Sequence, residues 1–232
     1  SAAAADAFTF EGQRVGLPLQ VSQVAWWYNK DLMSQAGIDV SQIKMWDDLL
    51  DAVKQIKAAG ITPICMGGKD KWPVHFVWTH LHIRNGGKGL FLESLNNGGW
   101  DRPEYIRSGE QMLELVELEP FQKGWLAATW PDQAGFFGDG KCAMAFMGNW
   151  MYGAQASNSA SGEGLADANM GMFNMPMTSG GIGDSGDTLG GINGWLFSST
   201  ASDAAVELMM HYVSLDIQKE DASNGAYIPI VK

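Results

Sequence analysis

The sequence lacks long apolar runs and is poor in basic residues, and each shortage excludes a class of function. No segment approaches the roughly 18 consecutive apolar residues that a membrane-spanning helix needs. The first residues, SAAAADAFTFEGQ, have neither the basic region nor the apolar core of a signal peptide. Lys and Arg together number 15 in 232 residues, against 26 Asp and Glu, which gives a net charge of −11. Because the basic residues are also scattered, neither a nucleic-acid partner nor an anionic membrane surface is expected.

Cysteine and histidine are scarce too, which argues against a metal site. Cys65 and Cys142 form neither a CxxC motif nor a metal-binding pattern. Each lies in a short apolar run, and because free cysteine behaves as a small apolar side chain, we expect two buried thiols in preference to a disulfide. The redox compartment is left open. Among the four histidines, His80 and His82 are two residues apart on a helical pattern and so point to different faces.

The chain also lacks the short motifs of common enzyme classes. It contains no GxSxG, no HExxH, no GxxxxGK[ST] and no GxGxxG at the start of a predicted helix. A glycoside hydrolase needs two carboxylates held about 5–9.5 Å apart across the scissile bond. The candidate acids lie on turns or in a glycine-rich segment, as solvated acids do: Asp132, Asp139, Asp184 and Asp187. We therefore expect no catalytic residue, no metal and no cofactor, and keep a carbohydrate-active enzyme as the alternative.

What the sequence has in excess is tryptophan, with ten residues. Indoles usually lie in cores or interfaces, but so many in an acidic, glycine-rich chain suggest that some form a ligand surface. The clearest candidate is FFGDGKCAMAFMGNW, residues 136–150, where a glycine turn leads into a short apolar strand. The strand stops at Gly148 and is followed by Asn149 and Trp150. A flat apolar ring beside an amide suits a pyranose, which has an apolar face and hydroxyls around its rim.

Predicted strands and helices alternate along the chain, which indicates an α/β fold. A helix over residues 46–59 ends at Gly60, and a buried strand over residues 61–66 completes a β-α-β unit. The loop that follows this strand, residues 67–73, is where open α/β sheets bind ligands. Further helices are predicted over residues 74–84, 103–118 and 202–215. The predicted apolar face of the second of these comprises Ile106, Met112, Leu113 and Val116.

Four segments in a fixed order resemble family 1 extracellular solute-binding proteins, the receptors of sugar ABC importers. They are GLPLQVSQVAWWYNKDLMSQAGID, MWDDLLDAVKQIKAAGITPICMGGKDKWP, FFGDGKCAMAFMGNW and LGGINGWLFSSTASDAAVELMMHYVS. The resemblance implies a type II periplasmic-binding-protein-like fold, a bilobed clamp about twice as long as a single domain. We therefore expect a chain that is incomplete at both ends, with one lobe largely present and the other partial.

The resemblance divides the chain into four parts. Residues 1–25 would form an inter-lobe crossing and the edge of the first lobe, and residues 26–177 the α/β lobe that carries most of the ligand site. Residues 178–191 are expected to be a linker, because they are rich in Gly, Asp and Ser. Residues 192–232 would be the returning segment of the first lobe.

The strongest candidate for ligand contact is Trp150, which the resemblance places against a sugar ring; the alternative is a core tryptophan. Asn149 would hydrogen-bond sugar hydroxyls, or else serve as a turn or helix-capping residue. Trp72 and His75 follow the predicted strand, where the family places ligand contacts. For Trp72 the alternative is hydrophobic packing, and for His75 it is a capping or surface position.

A second group of candidates lies on the predicted crossings. Gly191 lets the backbone approach a ligand closely. Asn193 and Trp195 share one face of a predicted strand, and Trp195 belongs to the core if that face does not meet the ligand. Gln23 lies on the first crossing. The remaining tryptophans are assigned to core or surface packing: Trp26, Trp27, Trp46, Trp78, Trp100, Trp125 and Trp130.

Together these features predict an extracytoplasmic substrate-binding protein that is not an enzyme. It would capture a mono- or oligosaccharide and deliver it to the membrane permease subunits of an ABC importer by hinge closure. The expected partners are that sugar and those subunits, with no nucleic acid, and the protein is expected to be a monomer. Its place would be the periplasm or, membrane-anchored, the outside of a bacterial cell, with the signal segment outside this sequence. A surface module for sugar sensing or adhesion on the same fold is a second alternative beside the enzyme.

Overall fold

A computed structural model describes residues 2–223 and 228–230 of the chain. The chain divides into two compact units, each described by itself below. The minor unit contains Ser1–Gln23, Gly148–Gly153 and Gly190–Lys232, and the major unit contains Val24–Met147 and Ala154–Leu189. The first and last parts expected from the sequence therefore fall partly outside the described residues. The residues concerned are residue 1 and residues 224–227, 231 and 232.

Strands and helices are mixed along the chain, which confirms the predicted α/β class. The helices are α1 (Ala2–Asp6), α2 (Lys30–Gln35), α3 (Trp46–Ala58), α4 (Trp72–Asn97), α5 (Pro103–Glu117), α6 (Trp130–Gly138), α7 (Met151–Ser157), α8 (Asp203–Tyr212) and α9 (Leu215–Ser223). The strands are β1 (Thr9–Phe10), β2 (Gln13–Arg14), β3 (Gly16–Asn29), β4 (Met144–Gly148), β5 (Met170–Phe173), β6 (Gly190–Leu196) and β7 (Ile228–Pro229). Within the described ranges, no helix combines the length and the apolar character that a bilayer span requires.

The sheet of the major unit is organised around the second half of β3, which lies between β4 and β5. β5 runs antiparallel to β3, with Trp26 opposite Phe173. Every residue of β4 is buried, as its apolar run predicts. Trp26 is fully buried, and its ring centroid lies 4.8 Å from that of Phe146 in β4. This packing fixes the strand that leads into the two candidate residues after Gly148.

Helix α3 begins and ends where the sequence predicts. Its apolar residues recur at helical spacing and are buried: Trp46, Leu49, Val53 and Ile56. At its start the carboxylate of Asp48 accepts a hydrogen bond from the backbone N–H of Met45 at 2.7 Å. After its end, Gly60 has a φ of 77°, a left-handed conformation that glycine adopts without a Cβ clash.

Helix α5 occupies the predicted range, but the prediction of its buried face is wrong. Ile106 and Leu113 are 56% and 57% exposed. The buried positions are instead Tyr105, Ser108, Gln111 and Leu115. Asn85 of α4 donates through Nδ2 to Ser108 Oγ at 2.9 Å and to Gln111 Oε1 at 2.8 Å. A buried polar network therefore orients α5, and apolar periodicity carries no information about such a network.

Two other predicted boundaries are wrong. The strand predicted over residues 61–66 is reduced to isolated bridges at Ile64, which pairs with Phe121 and Met144. Pro63 beside it has no N–H group and interrupts a hydrogen-bond ladder. The helix predicted over residues 74–84 continues as α4 to Asn97, with non-helical backbone at Gly87 (φ 75°, ψ 161°). Glycine tolerates that conformation, so the helix kinks there and resumes.

The expectation of two free thiols is wrong, because Cys65 and Cys142 form a disulfide with a Cα–Cα distance of 5.5 Å. Both cysteines are fully buried. The two segments run side by side: Cys65 N–H donates to the Met144 carbonyl at 2.8 Å, and Met144 N–H donates to the Pro63 carbonyl at 2.8 Å. This pairing joins residues that are 77 positions apart in the sequence, so the local apolar pattern around each cysteine could not predict it.

Residues 178–189, which fall within the segment expected to be a linker, belong to the major unit and are organised by Arg84. The buried guanidinium of Arg84 donates to the backbone carbonyls of Asp184 and Asp187 at 2.8 Å each, and to that of Ser185 at 3.1 Å. Its Nε and Nη2 both donate to the Met175 carbonyl at 3.0 Å. These bonds satisfy the buried cation with carbonyl oxygens and fix the loop that precedes β6.

In the minor unit, the first half of β3 pairs antiparallel with β6, from Gly16 opposite Leu196 to Gln23 opposite Gly190. β7 pairs with the same stretch of β3, and β1 and β2 form a separate hairpin. Ser202 caps the helix predicted over residues 202–215, because its Oγ accepts from the backbone N–H of Ala205 at 3.3 Å. That helix ends at residue 212 as α8, and α9 follows it.

Candidate ligand-binding site

Trp150 follows β4 in the minor unit and is partly exposed. Its indole packs over Gly148, and a Cβ atom placed on Gly148 would overlap the six-membered ring of the indole. The absence of a side chain at Gly148 therefore allows the indole to lie against the backbone. This contact gives a physical reason for the Gly-x-Trp spacing, and a core position for Trp150 does not agree with its exposure.

Asn149 is paired with Gln23 in the same unit. Asn149 N–H donates to the Gln23 carbonyl at 2.9 Å, and Gln23 N–H donates to Asn149 Oδ1 at 3.0 Å. One of the two hydrogen-bonding ends of the Asn149 amide is thus used to hold β3. The side chain of Gln23 is exposed, so this reciprocal pair brings two candidate side chains next to each other.

The β6 candidates lie on the more exposed face of that strand. Gly191, Asn193 and Trp195 are exposed, and the two residues between them are less so. Asn193 Nδ2 donates to Ser22 Oγ at 2.9 Å. Trp195 is 43% exposed, which disagrees with a core position. Six of the eight candidates thus belong to the minor unit, where the pairing of β3 with β6 and with Asn149 connects them.

Trp72 and His75 belong to the major unit, at the start of α4. The Trp72 ring lies 5.4 Å from Phe76 and 5.6 Å from Trp130, in edge-on and tilted geometries. His75 is exposed, and its Nδ1 lies 3.2 Å from Thr79 Oγ1. Trp130 was assigned to packing from the sequence, but it is a neighbour of Trp72. Its place at the first position of a helix gave a signal comparable to that of Trp72.

An open apolar depression with a volume of about 520 Å³ has His75 in its lining. It is lined by Gly68, Lys71, Val74, His75, Trp78, Met112, Trp125 and Leu126. Its size falls within the range typical of small-molecule sites. No sequence pattern distinguishes Trp78 or Trp125 from the other tryptophans, because the loop that carries Trp125 meets α4 only in the folded chain. The major unit therefore offers aromatic surface well beyond Trp72.

Two buried histidines on α4 differ in their hydrogen bonding. His80 Nδ1 lies 2.8 Å from the Phe76 carbonyl, and its Nε2 accepts from Leu189 N–H at 3.0 Å. Both nitrogens of His82 are buried and have no hydrogen-bond partner among the described residues, and its ring packs edge-on against Trp78 with ring centroids 3.7 Å apart. Burial lowers the pKa of each imidazole to about 4, so both are neutral at physiological pH. Within residues 2–223 and 228–230, no group of His, Cys, Asp and Glu side chains is arranged to hold a metal ion.

The acids considered for catalysis have structural partners in the major unit. Asp132 accepts from Thr129 N–H at 2.8 Å as part of the capping box of α6, and Asp139 binds Lys141 Nζ at 2.8 Å. These bonds lower the pKa of both carboxyl groups, whereas a general acid needs a raised pKa. The other two acids accept hydrogen bonds from Gly186 N–H (Asp184) and Lys88 Nζ (Asp187).

Comparison with known proteins gives matches along most of the chain. The sequence profile of the family described as bacterial extracellular solute-binding protein matches residues 1–219. An uncharacterized ABC transporter extracellular-binding protein of Pyrococcus horikoshii is 29% identical over 146 residues, which cover 62% of this chain and 33% of that protein.

Two solved structures superpose closely. One comes from work on xylan utilization by the thermophilic bacterium Caldanaerobius polysaccharolyticus; it has a TM-score of 0.90 and 25% identity, over 99% of this chain and 58% of its own. The other is a chitin oligosaccharide binding protein, with a TM-score of 0.86 and 28% identity over 97% and 56% of the two chains. The chain thus spans between a third and three fifths of the length of these proteins.

Proposed function

This chain belongs to the family of bacterial extracellular solute-binding proteins, and we propose that it captures a sugar outside the cytoplasm for an ABC importer. Membership confirms the resemblance read from the four sequence segments, and the superpositions confirm the type II periplasmic-binding-protein fold. The observation that carries the proposal is the partly exposed indole of Trp150, held against Gly148 at the end of a buried strand.

The chemistry of the minor-unit candidates suits a pyranose ring. The C–H face of a sugar gains dispersion energy and loses exposed apolar area when it lies on an indole, which is worth about 1–2 kcal/mol. The exposed amides of Gln23 and Asn193 supply donors and acceptors for hydroxyl groups. Each sugar hydroxyl that is buried without a partner costs about 1–3 kcal/mol, so these amides decide which sugars bind.

The aromatic surface of the major unit supports a ligand longer than one ring. His75 belongs to the surface that lines the depression, together with Trp78 and Trp125. Because the depression is open, sugar hydroxyls would stay hydrated while the C–H faces lie on the indoles. We infer an oligosaccharide, and the similarity to a chitin oligosaccharide binding protein agrees with this inference.

The buried disulfide supports a location outside the cytoplasm. Disulfides persist in oxidising compartments such as the periplasm and the cell exterior, and are rare where thiols are kept reduced. We also propose that the protein delivers this sugar to permease subunits and closes around it, as the family does. The bound sugar would favour a closed form that the transporter recognises. No observation favours the enzyme or the adhesion module over this function.

The proposal is tested by incubating the chain with xylotriose, chitotriose, maltotriose, raffinose and their constituent monosaccharides. Thermal unfolding and product analysis are followed in parallel. A bound sugar at 100 times its Kd stabilises the chain by about 2.7 kcal/mol, and its chemical structure should be unchanged. At the same sugar concentration Trp150→Ala should retain only about 0.9–1.8 kcal/mol of this stabilisation, whereas Trp100→Ala, which removes a tryptophan assigned to packing, should keep all of it. New reducing ends would identify an enzyme, and no shift with any sugar would reject the proposal.

A further inference from the structure

The chain passes between its two units at four points, and three of them adjoin a candidate for ligand contact. The passages lie between residues 23 and 24, 147 and 148, 153 and 154, and 189 and 190. Gln23 precedes the first passage, Asn149 and Trp150 follow the second, and β6 begins at the last. A residue that fixes the major-unit side of these passages would therefore fix the backbone that leads into the candidates.

Within the major unit, His80 contacts residues beside two of these passages directly and reaches a third through Thr188. Its Nε2 accepts from Leu189 N–H at 3.0 Å and lies 3.1 Å from Thr188 Oγ1. Thr188 Oγ1 in turn donates to the Val24 carbonyl at 2.6 Å, and Val24 N–H donates to the Leu189 carbonyl at 3.0 Å. The His80 ring also packs edge-on against Phe146, with centroids 4.8 Å apart. One imidazole thus contacts residues beside two passages directly, at Phe146 and at Thr188 and Leu189, and is linked through Thr188 to Val24 at a third.

The hydrogen bonds require one protonation state of His80. The Phe76 carbonyl, 2.8 Å from Nδ1, is an acceptor, so Nδ1 carries the proton and Nε2 is bare. A proton on Nε2 would point at the N–H of Leu189 and break that bond. The groups that oppose this proton electrostatically are Arg84 and His75, both on α4. Phe146, Thr188 and Leu189 contact the ring, and Val24 is bonded to Thr188; none of these residues carries a titratable side chain.

We propose that His80 is a positioning residue for ligand binding, because its neutral imidazole fixes the major-unit ends of the segments that carry the candidate site. This role rests on the proposed function, since it predicts an effect on sugar affinity without contact to the sugar. His82 provides a matched control. It lies on the same helix, is equally buried and has the same lowered pKa, but its nitrogens form no hydrogen bond with any described residue.

The test compares His80→Leu, His80→Gln, His82→Leu and Thr188→Val in the 232-residue chain. Amide hydrogen exchange of Leu189 reports the bond itself, and calorimetry with chitotriose and xylotriose reports sugar affinity. His80→Leu should accelerate Leu189 exchange about tenfold, the factor that one hydrogen bond contributes. His80→Gln should largely restore protection, because its side-chain oxygen can accept from Leu189. Sugar affinity should follow the same order, and His82→Leu should leave both values near those of the wild type.

A pH series separates positioning from packing. Once corrected for intrinsic exchange, Leu189 protection in the wild type should fall as the pH is lowered toward about 4, and in His80→Gln it should not. Thr188→Val, which removes the link to Val24, should weaken sugar binding even if His80→Leu does not fold. Equal effects of His80→Leu and His82→Leu, or unchanged Leu189 exchange in His80→Leu, would overturn the proposal. A wild type that binds no sugar would refute the proposed function and, with it, the role of His80 in binding. If that wild type still shows the expected exchange pattern, the hydrogen bonds between His80 and the passage residues are established on their own.

Discussion

Removal of the Cys65–Cys142 disulfide should cost a large share of the stability of the major unit. The bond closes a loop with a sequence separation of 77 residues. The loss of loop entropy in the unfolded chain for that length corresponds to about 4.5 kcal/mol. A change of that size lowers the Tm of a unit of this length by about 10–18 °C. Because both sulfur atoms are fully buried, mild reductant should leave the folded chain oxidised.

The measurement is urea unfolding of Cys65→Ala, Cys142→Ala and the double variant, followed by circular dichroism. Either single variant abolishes the bond, so each should lose nearly as much stability as the double variant, and the effects should be far from additive. Thiol titration of the wild type in denaturant without reductant should find no free thiol. Two free thiols in that titration, or a double variant within about 1 kcal/mol of the wild type, would refute this reasoning.

Two further predictions concern side chains around the site. Gly148→Ala should displace the Trp150 indole, at a cost of about 1–3 kcal/mol in stability, and should lower sugar affinity. The control is Gly153→Ala, where the added Cβ meets open space. Equal sugar affinity of the two variants would contradict the packing of Trp150 on Gly148. His82→Phe should stabilise the chain by about 1–3 kcal/mol at neutral pH, because it removes two buried nitrogens that find no partner in the described part of the chain. The pKa of His82 is lowered from 6.5 to about 4, so its neutral form contributes stability that is lost as pH falls from 6.5 toward 4, by at most about 3 kcal/mol. His82→Phe should flatten that part of the pH profile of unfolding, and an unchanged profile would show that another group titrates there.

The sequence predicts those elements whose causes are local. Helix α3 has apolar residues at helical spacing, acids in its first turn and Gly60 beyond its end, so each signal gives the same boundaries. Strand β4 is a short apolar run between glycines, and the structure buries all of it. The Gly148-x-Trp150 spacing likewise places an indole at a strand end.

What the sequence does not predict depends on partners that are distant along the chain. Asn85 turns the polar face of α5 inward through Ser108 and Gln111, against the apolar pattern of that helix. The disulfide depends on the pairing of Cys65 with the Met144 carbonyl.

The same reason limits prediction of the site. The oxygen of Asn149 is used by the backbone of Gln23, and Trp125 reaches α4 through a loop that no local pattern describes. Each of these contacts is specific in three dimensions and leaves no periodic signal in the sequence.

The central claim is that Trp150 contacts a bound sugar and that the protein releases this sugar without chemical change. Its most direct test is calorimetric binding of the sugar that best stabilises the wild type, to wild type, Trp150→Ala and Trp100→Ala. Loss of a stacking contact of about 1–2 kcal/mol predicts a fall in affinity of roughly 5- to 30-fold for Trp150→Ala, with a folded variant and normal binding by Trp100→Ala. Equal affinity of Trp150→Ala and the wild type, or a sugar recovered as cleavage products, would contradict the account.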